Sequence, residues 1–274
     1  MPELPEIEVL RRSLEPLLIG DRIERVEVRA PALREPLDRR RLGRDARGRR
    51  VERLRRRGKY LLIDLEGGRT LVVHLGMSGR LTVVPGDAPR EPHEHLAFRL
   101  ASGRRLRLVD PRRFGLAFTA PTAGLDADRH LAELGIEPLG AGFDGAALAA
   151  AAARRRGPAK AFLMDAGAVV GLGNIYATEA LWAAGIHPSR SVARISRPRW
   201  EKLAAAVREV LTRAIAEGGT TLRDYADGEG NAGYFQISLA VYGREGAPCP
   251  RCGAPIRRLV QANRSTYYCP RCQR

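Results

Sequence analysis

Lysine is scarce in this chain. Among 274 residues there are three, Lys59, Lys160 and Lys202, against 44 arginines. The bias fits a GC-rich coding sequence and by itself says little about chemistry. It does sharpen the lysines that remain. Arginine can hold a phosphate but is effectively never deprotonated, whereas lysine can exchange a proton. A site that needs proton transfer therefore excludes the arginine swap. Long apolar runs are also missing. No segment reaches the ~18 consecutive apolar residues of a membrane span. The acidic N-terminus lacks the charged-then-apolar pattern of a signal peptide, so the expected setting is the cytoplasm. No internal repeat is present. Cysteine is confined to the last 26 residues.

Acidic residues are in short supply, with 31 Asp and Glu against 47 Lys and Arg. The formal net charge is +16 and the pI about 10.8. That balance favours a polyanionic partner, nucleic acid first. The excess is uneven: 12 of the 21 residues from Arg39 to Lys59 are basic. A solvated charged face is the bland account of such a run. Hydrophobic content of 44% is enough for a real core, and the length suits one large domain or two ordinary ones.

Ile7, Leu10, Leu14 and Leu17 recur at helical spacing before Gly20, which predicts a helix over 4–18. Short strands follow. "YLLIDLEGGRTLVVHL" reads as two strands around Glu66-Gly67-Gly68, and "HLAFRLASGRRLRLV" as another pair turning at Ser102-Gly103. Strands at such intervals suggest a β-sandwich or barrel. After about Leu134 the character becomes helical, with "GAALAAAAARRR", 175–185 and 198–217 as candidate helices. The best boundary is "LGIEPLGAG" at 134–142.

The cysteines pair as Cys249-x2-Cys252 and Cys269-x2-Cys272, sixteen residues apart. Two such pairs can close one tetrahedral zinc site. The intervening "APIRRLV" and "STYYC" suit a small hairpin. Disulfides are the alternative, disfavoured in a cytoplasmic protein. Four-cysteine sites are usually closed and structural, which gives the zinc no catalytic role. Arg264 in the intervening loop is available to a phosphate, or simply solvated.

The N-terminus poses a choice. Removing Met1 leaves Pro2 as a free secondary amine with Glu3 and Glu6 close by. An α-amine has a pKa of ~7.7–8.0 and can attack a sugar carbon to give a Schiff base. Glu3 can protonate the departing group. A Pro-Glu start is also a common helix opening, with glutamates favourable at the positive helix end. Other stretches bear on this choice. "RRGKYLLIDL" puts Lys59 at a strand entry, and "HLGMSGR" puts Met77 between glycines at a strand end. "VDPRRFG" puts Arg112, Arg113 and Phe114 in a tight turn. An apolar side chain, an arginine and an aromatic suit filling the gap left by a flipped nucleotide; a core Met and Phe with surface arginines would look alike. "VVGLGNIYATEAL" is a Gly-rich turn feeding a helix, where amides and Asn174 suit a phosphate.

Taken together, these motifs resemble the formamidopyrimidine-DNA glycosylase family of bacterial base-excision repair. The resemblance runs from "PELPEIE" through "GKYLL", "HLGMSG", "DPRRFG", "AKAFLMD", "VGLGNIYATE", "GGTTLRDY", "GYF" and "VYGREG" to the four-cysteine tail. It implies an α+β fold: an N-terminal β-sandwich with a leading helix (1–134), a helix–two-turn–helix domain (135–237) and a zinc ribbon (238–274). It implies DNA held between the halves, and one structural Zn2+ on Cys249, Cys252, Cys269 and Cys272. Pro2 is then the nucleophile, Glu3 the general acid of base release, Lys59 the proton donor for β-elimination and Arg264 the residue for δ-elimination. Glu6 matches a supporting position. His93, Arg112, Arg156, Lys160 and Asn174 match DNA contacts, with the register of Arg156 left slightly open by its arginine run. Met77, Arg112 and Phe114 match the residues that fill the base stack.

The implied function is a DNA glycosylase with AP-lyase activity on oxidised purines in double-stranded DNA, working as a monomer. An endonuclease VIII-like preference for oxidised pyrimidines is one alternative, although that group typically opens Pro-Glu-Gly-Pro-Glu where this chain has Leu4. A catalytically silent damaged-DNA-binding protein is the other. "RDYADGEGNAGYFQ" resembles a loop that covers an everted purine, but its centre is not a close match, which leaves base preference open.

Overall fold

The computed structural model describes residues 2–220 and 238–274, and these fall into two compact units. The first runs to Ala132 and takes in 217–220; the second comprises Glu133–Ala216 and the chain from 238 onward. The loop expected at 224–236 and the state of Met1 lie outside the described residues. No helix among the described residues is long and apolar enough to cross a membrane.

Helix α1 (Leu4–Leu18) opens the first unit with the predicted bounds. Pro5 is tolerated because the first-turn amides have no intrahelical acceptor. Eight strands follow: β1 (Ile23–Val28), β2 (Val51–Arg57), β3 (Tyr60–Leu65), β4 (Arg69–His74), β5 (Arg80–Pro85), β6 (Glu94–Leu100), β7 (Arg104–Val109) and β8 (Leu116–Pro121). They form two antiparallel four-stranded sheets, β1-β6-β7-β5 and β2-β3-β4-β8. Both predicted hairpins are present, with Leu65 paired to Arg69 and Arg99 to Arg105.

One apolar core lies between the sheets. It joins Ile7, Leu10, Leu14 and Leu18 of α1 to inward residues such as Leu61, Ile63, Leu71, Leu96, Phe98 and Leu108. A sandwich has edge strands with unpaired backbone groups, and these have to be covered. Here two helices do it. Helix α1 packs on β2, β3 and β5, and α2 (Arg39–Ala46) packs on β1, β8 and β4. The basic run from Arg39 to Lys59 thus becomes α2 and β2, whose apolar positions Leu42, Ala46, Val51 and Leu54 enter the core. Helix α2 leaves little trace in the sequence, because four arginines in eight residues mask its single apolar stripe.

The second unit holds α3 (Gly145–Ala152), α4 (Ala159–Met164), α5 (Asn174–Ala184) and α6 (Arg197–Ala216). Helix α5 packs against α4 and α6, and α3 against α6. Strands β9 (Arg257–Gln261) and β10 (Arg264–Tyr268) form the small hairpin between the cysteine pairs, and β10 rests on α5.

Candidate active site and zinc centre

At the N-terminus the sequence builds a fixed corner. Pro2, Glu3 and Glu6 are all buried. Glu3 is the N-cap of α1, and its backbone N–H donates to Glu6 Oε2 at 2.8 Å, the return half of a capping box. The other oxygen, Glu6 Oε1, accepts from Thr220 N and Thr220 Oγ1, each at 2.8 Å. Glu6 therefore ties the first residues to the "GGTT" segment and holds the backbone beside Pro2. Glu8, one turn on, meets Arg56 Nε at 3.3 Å, which pins α1 to β2. Burial raises the Glu8 carboxyl, but the Arg11 and Arg12 guanidiniums beside it bring it below the ordinary range.

Lys59 occupies a two-residue turn between β2 and β3, flanked by the Arg57–Tyr60 pair. Gly58 precedes it at φ 56°, the left-handed first position of a type II′ hairpin turn. Opposite Tyr60 in the register stands His74, with ring centroids 4.8 Å apart. The His74 imidazole is lowered to about 3 by burial, with the charges of Arg34 and Lys59 adding to it. Its Nδ1 accepts from Gly76 N at 3.0 Å, so the neutral ring carries its proton on Nε2. His74 opens the "HLGMSG" stretch quoted above. A lone histidine at a strand end gives no signal until its neighbours are known.

The Met77 and Phe114 turns are brought together. Gly76, at φ 62°, lies so close that a Cβ there would sit 2.3 Å from the carbonyl carbon of Phe114. Asp110, fully buried, binds the two turns. Its Oδ1 accepts from Ser78 Oγ at 2.7 Å and its Oδ2 from Gly115 N at 2.8 Å. Its carbonyl accepts from His95 Nε2 at 3.0 Å. Ser78 Oγ in turn accepts from Arg112 N at 3.3 Å. On this frame Met77 and Phe114 are 39% and 43% exposed, far more than an apolar core would leave them, and Arg112 lies over the Phe114 ring at 4.7 Å. His93 is exposed nearby in sequence at φ 63°, its carbonyl accepting from Asp110 N at 3.0 Å. Asp110 and Ser78 carry no signal in the sequence, because a buried acceptor and its donor leave no periodic trace.

In the second unit, Asn174 begins α5 and donates through Nδ2 to Ser265 O at 3.1 Å and to Tyr242 Oη at 3.4 Å. Its Oδ1 is buried with no hydrogen-bond partner among the described residues. Lys160 is 2% exposed; its Nζ donates to Thr266 Oγ1 at 2.5 Å and to Ser265 O at 3.3 Å. Both of those bonds hold the β9–β10 hairpin rather than face outward. That hairpin turns through Ala262 and Asn263, at φ 47° and 59°, and presents an exposed Arg264 immediately after. Arg156 is exposed, whereas Arg155 is paired with Asp165, which leaves Arg156 the freer of the two. Glu179 on α5, buried, accepts from the backbone N–H groups of Ala240, Val241 and Tyr242 at 2.8–3.0 Å and so fixes Tyr242 beside Asn174. Burial raises its carboxyl, which those three amides oppose.

The four cysteine sulfurs all lie within 4.8 Å of one another, and none is in a disulfide. Two of the separations are 3.5 Å (Cys252–Cys269) and 4.0 Å (Cys249–Cys272). A tetrahedron of Zn–S bonds of ~2.3 Å has edges of about 3.8 Å, so the donor set fits zinc. The Cys249 thiol is raised by burial, yet the Trp182 indole and the amides of Arg251 and Cys252 outweigh this and bring it to about 6.

Family models match the chain in three consecutive parts. They are the formamidopyrimidine-DNA glycosylase N-terminal domain over residues 1–117, its H2TH domain over 134–226, and the zinc finger found in FPG and IleRS over 246–274. The formamidopyrimidine-DNA glycosylase of Acidithiobacillus ferrooxidans is 51% identical over 276 residues, covering the whole of both chains. The chain belongs to the formamidopyrimidine-DNA glycosylase family. Another member, from Halorhodospira halophila, is 52% identical over 275 residues, again with both chains fully covered. Among solved structures, the MutM (Fpg) protein of Thermus thermophilus is 42% identical, with a TM-score of 0.89 over 99% of this chain and 98% of that one. A Lactococcus lactis Fpg in complex with abasic-site DNA is 34% identical, with a TM-score of 0.91 over 99% of each. Membership of this glycosylase family accounts for the zinc ribbon, the leading helix and the helical region in one stroke.

Proposed function

We propose that Pro2, freed by removal of Met1, attacks C1′ of an oxidised purine nucleotide in duplex DNA. The family activity is that of a formamidopyrimidine-DNA glycosylase with AP lyase, and the partner is damaged double-stranded DNA. Solved relatives carry a Fapy-dG in one case and a carbocyclic 8-oxo-G in another, which supports the purine reading. The Pro2 nitrogen bonds to C1′ as the base departs, and the Glu3 carboxyl supplies a proton to the leaving side. Opening of the sugar then leaves an iminium between Pro2 and C1′, the state from which the strand is cut by elimination. Lys59 supplies the proton for β-elimination, and Arg264, always charged, works in δ-elimination by binding phosphate.

Met77, Arg112 and Phe114 fill the gap left by the everted nucleotide, and His93, Arg112, Arg156 and Asn174 contact the DNA backbone. Neutral His74 adds a donor beside Lys59. Lys160 acts through the hairpin it holds. Glu6 acts as a positioning residue for Pro2 and Glu3. When bound, the zinc ion shapes the ribbon on its four cysteines and takes no part in the chemistry. The functional division follows as 1–134, 135–237 and 238–274, and the setting is the cytoplasm, where the chromosome is reached.

The observation that carries this reading is the Glu6 carboxylate, which fixes the Glu3 backbone at 2.8 Å and presets the residues before α1. Borohydride trapping on duplex DNA containing 8-oxoguanine tests it. A covalent adduct is expected with the free N-terminus and none with a blocked one. Tight binding with no adduct in either form would overturn it.

A further inference from the structure

Two features of the ribbon stand outside the chemistry above. The first is Trp182, near the C-terminal end of α5. Its Nε1 is buried and makes no hydrogen bond of ordinary length and angle among the described residues. A buried indole N–H without an acceptor costs on the order of 1–3 kcal/mol, so such an atom calls for a partner. The second is where the ring lies. Trp182 packs on the cluster of Val241, Cys249, Ile256 and Cys269, with Cys252 and Cys272 alongside. The Arg251 guanidinium lies over the ring, 4.5 Å from its centroid. Arg251 also donates to the carbonyls of Trp182 and Ala183, at 3.4 and 3.2 Å. The ring is thus held by the cysteine cluster and by Arg251, a residue of the same knuckle that also caps the helix end. Cys249 is one of the buried sulfurs of the cluster that the ring packs against.

We propose that Trp182 is an outer-shell donor to the zinc site: its Nε1–H hydrogen-bonds the Cys249 thiolate once zinc is bound, and this bond docks the ribbon onto α5. The chemistry is that of ligand support. Four thiolates around one dication leave excess negative charge on sulfur, and a donated N–H disperses it. Outer-shell partners of this kind orient the ligand and retain the metal. The geometry extends the consequence along the helix. Asn174, at the other end of α5, holds the hairpin at Ser265 O. The ribbon is therefore strapped to one helix at two points, by Trp182 at the cysteine knuckle and by Asn174 beside Arg264.

The proposal rests on zinc ligation by the four cysteines, and the test separates the two. Full-length protein is loaded with zinc or cobalt, and the variants are Trp182→Phe, which keeps the ring and removes the donor, and Trp182→Ala, which removes both. With Trp182→Phe, zinc release to an excess of chelator is expected to quicken about tenfold, the lower end of outer-shell effects. The thiolate-to-cobalt charge-transfer band is expected to move to longer wavelength, because the sulfur lone pair loses a stabilising donor. In unmutated protein loaded with 113Cd, the Trp182 indole proton is expected to show scalar coupling to the metal across the N–H···S bond. Unchanged release and an unchanged band in Trp182→Phe, with faster release only in Trp182→Ala, would reduce the residue to packing and overturn the proposal. An uncoupled indole proton would overturn it even if neither variant folds. Parent protein that takes up no cobalt would strike down the four-cysteine site itself.

Discussion

Ser78 and Asp110, thirty-two residues apart in sequence, meet through a 2.7 Å bond from the serine hydroxyl to a fully buried carboxylate. The other oxygen of that carboxylate is taken by Gly115 N at 2.8 Å. One side chain therefore spaces the turn bearing Met77 from the turn bearing Arg112 and Phe114. Asp110→Asn keeps the size but turns one accepting oxygen into a donor that faces a backbone N–H or a hydroxyl. Hydrogen bonds to charged groups contribute about 1.5–3 kcal/mol, so a stability loss of about that size is expected in urea unfolding. The functional readout is the ratio of excision on fully paired duplex to excision on a lesion already unpaired. Everting a base costs a few kcal/mol, and only the paired substrate needs the wedge. The ratio is expected to fall at least several-fold; equal losses on both substrates would mean Asp110 supports the fold alone.

Much of this was legible in sequence, and the reason is local. Helix α1 and the hairpins at Glu66–Gly68 and Ser102–Gly103 declare themselves through apolar period and glycine placement, and the zinc site through cysteine spacing alone. What escaped depends on tertiary encounters. Helix α2 hides in an arginine run whose apolar positions, Leu42 and Ala46, gain meaning only against β1 and β8. Asp110, His74 and Trp182 are single polar or aromatic residues whose roles come from atoms distant in sequence. Lys160 reads as a DNA contact by its motif, yet it lies buried and two of its bonds are spent on the hairpin. The Arg155–Asp165 pair takes one arginine of its run and leaves Arg154 and Arg156 both exposed.

The His74 ring gives a pH prediction whose sign follows from linkage. Its folded pKa is about 3, below the ordinary histidine value of 6.5, because burial and the cations of Arg34 and Lys59 oppose the charged form. Between these values the unfolded chain binds the proton and the folded chain does not. Stability therefore falls as pH drops from about 6.5 toward 3. A thermal-melt series from pH 7 to 4 is expected to show a shallower decline in His74→Gln than in the parent. Parallel declines would mean that His74 is not the group responsible.

The turn between β9 and β10 places two consecutive residues, Ala262 and Asn263, at positive φ. Asparagine tolerates that region and alanine does not, at a cost of roughly 1–2 kcal/mol for the left-handed form. Ala262→Gly removes the Cβ, although glycine's greater freedom in the unfolded chain offsets part of the gain. The net expectation is about 0.5–1 kcal/mol of added stability, and Ala262→Asn should act in the same direction. Calorimetry of the zinc-loaded protein measures it. A lower melting temperature in both variants would show that the turn does not hold the left-handed conformation.

Lys160 offers the sharpest contrast between composition and site. The chain uses arginine almost everywhere, yet lysine stands here at 2% exposure. The slot ends at Thr266 Oγ1, 2.5 Å from Nζ, with Ser265 O at 3.3 Å. A compact ammonium fits two such acceptors, whereas a planar guanidinium has five donors in a fixed fork and more bulk. Lys160→Arg, conservative on any surface, is therefore expected to overpack this slot and cost about 1–3 kcal/mol. Lys160→Met keeps the length and removes the charge, leaving the two oxygens without that donor. Both changes loosen the hairpin that carries Arg264. Strand scission at the δ-elimination step is then expected to slow more than base release, because only the former uses Arg264. Product analysis would show β-product accumulating ahead of δ-product. If base release fell first and DNA affinity fell with it, Lys160 would instead be the direct DNA contact that its motif suggests, exposed by a movement of the hairpin.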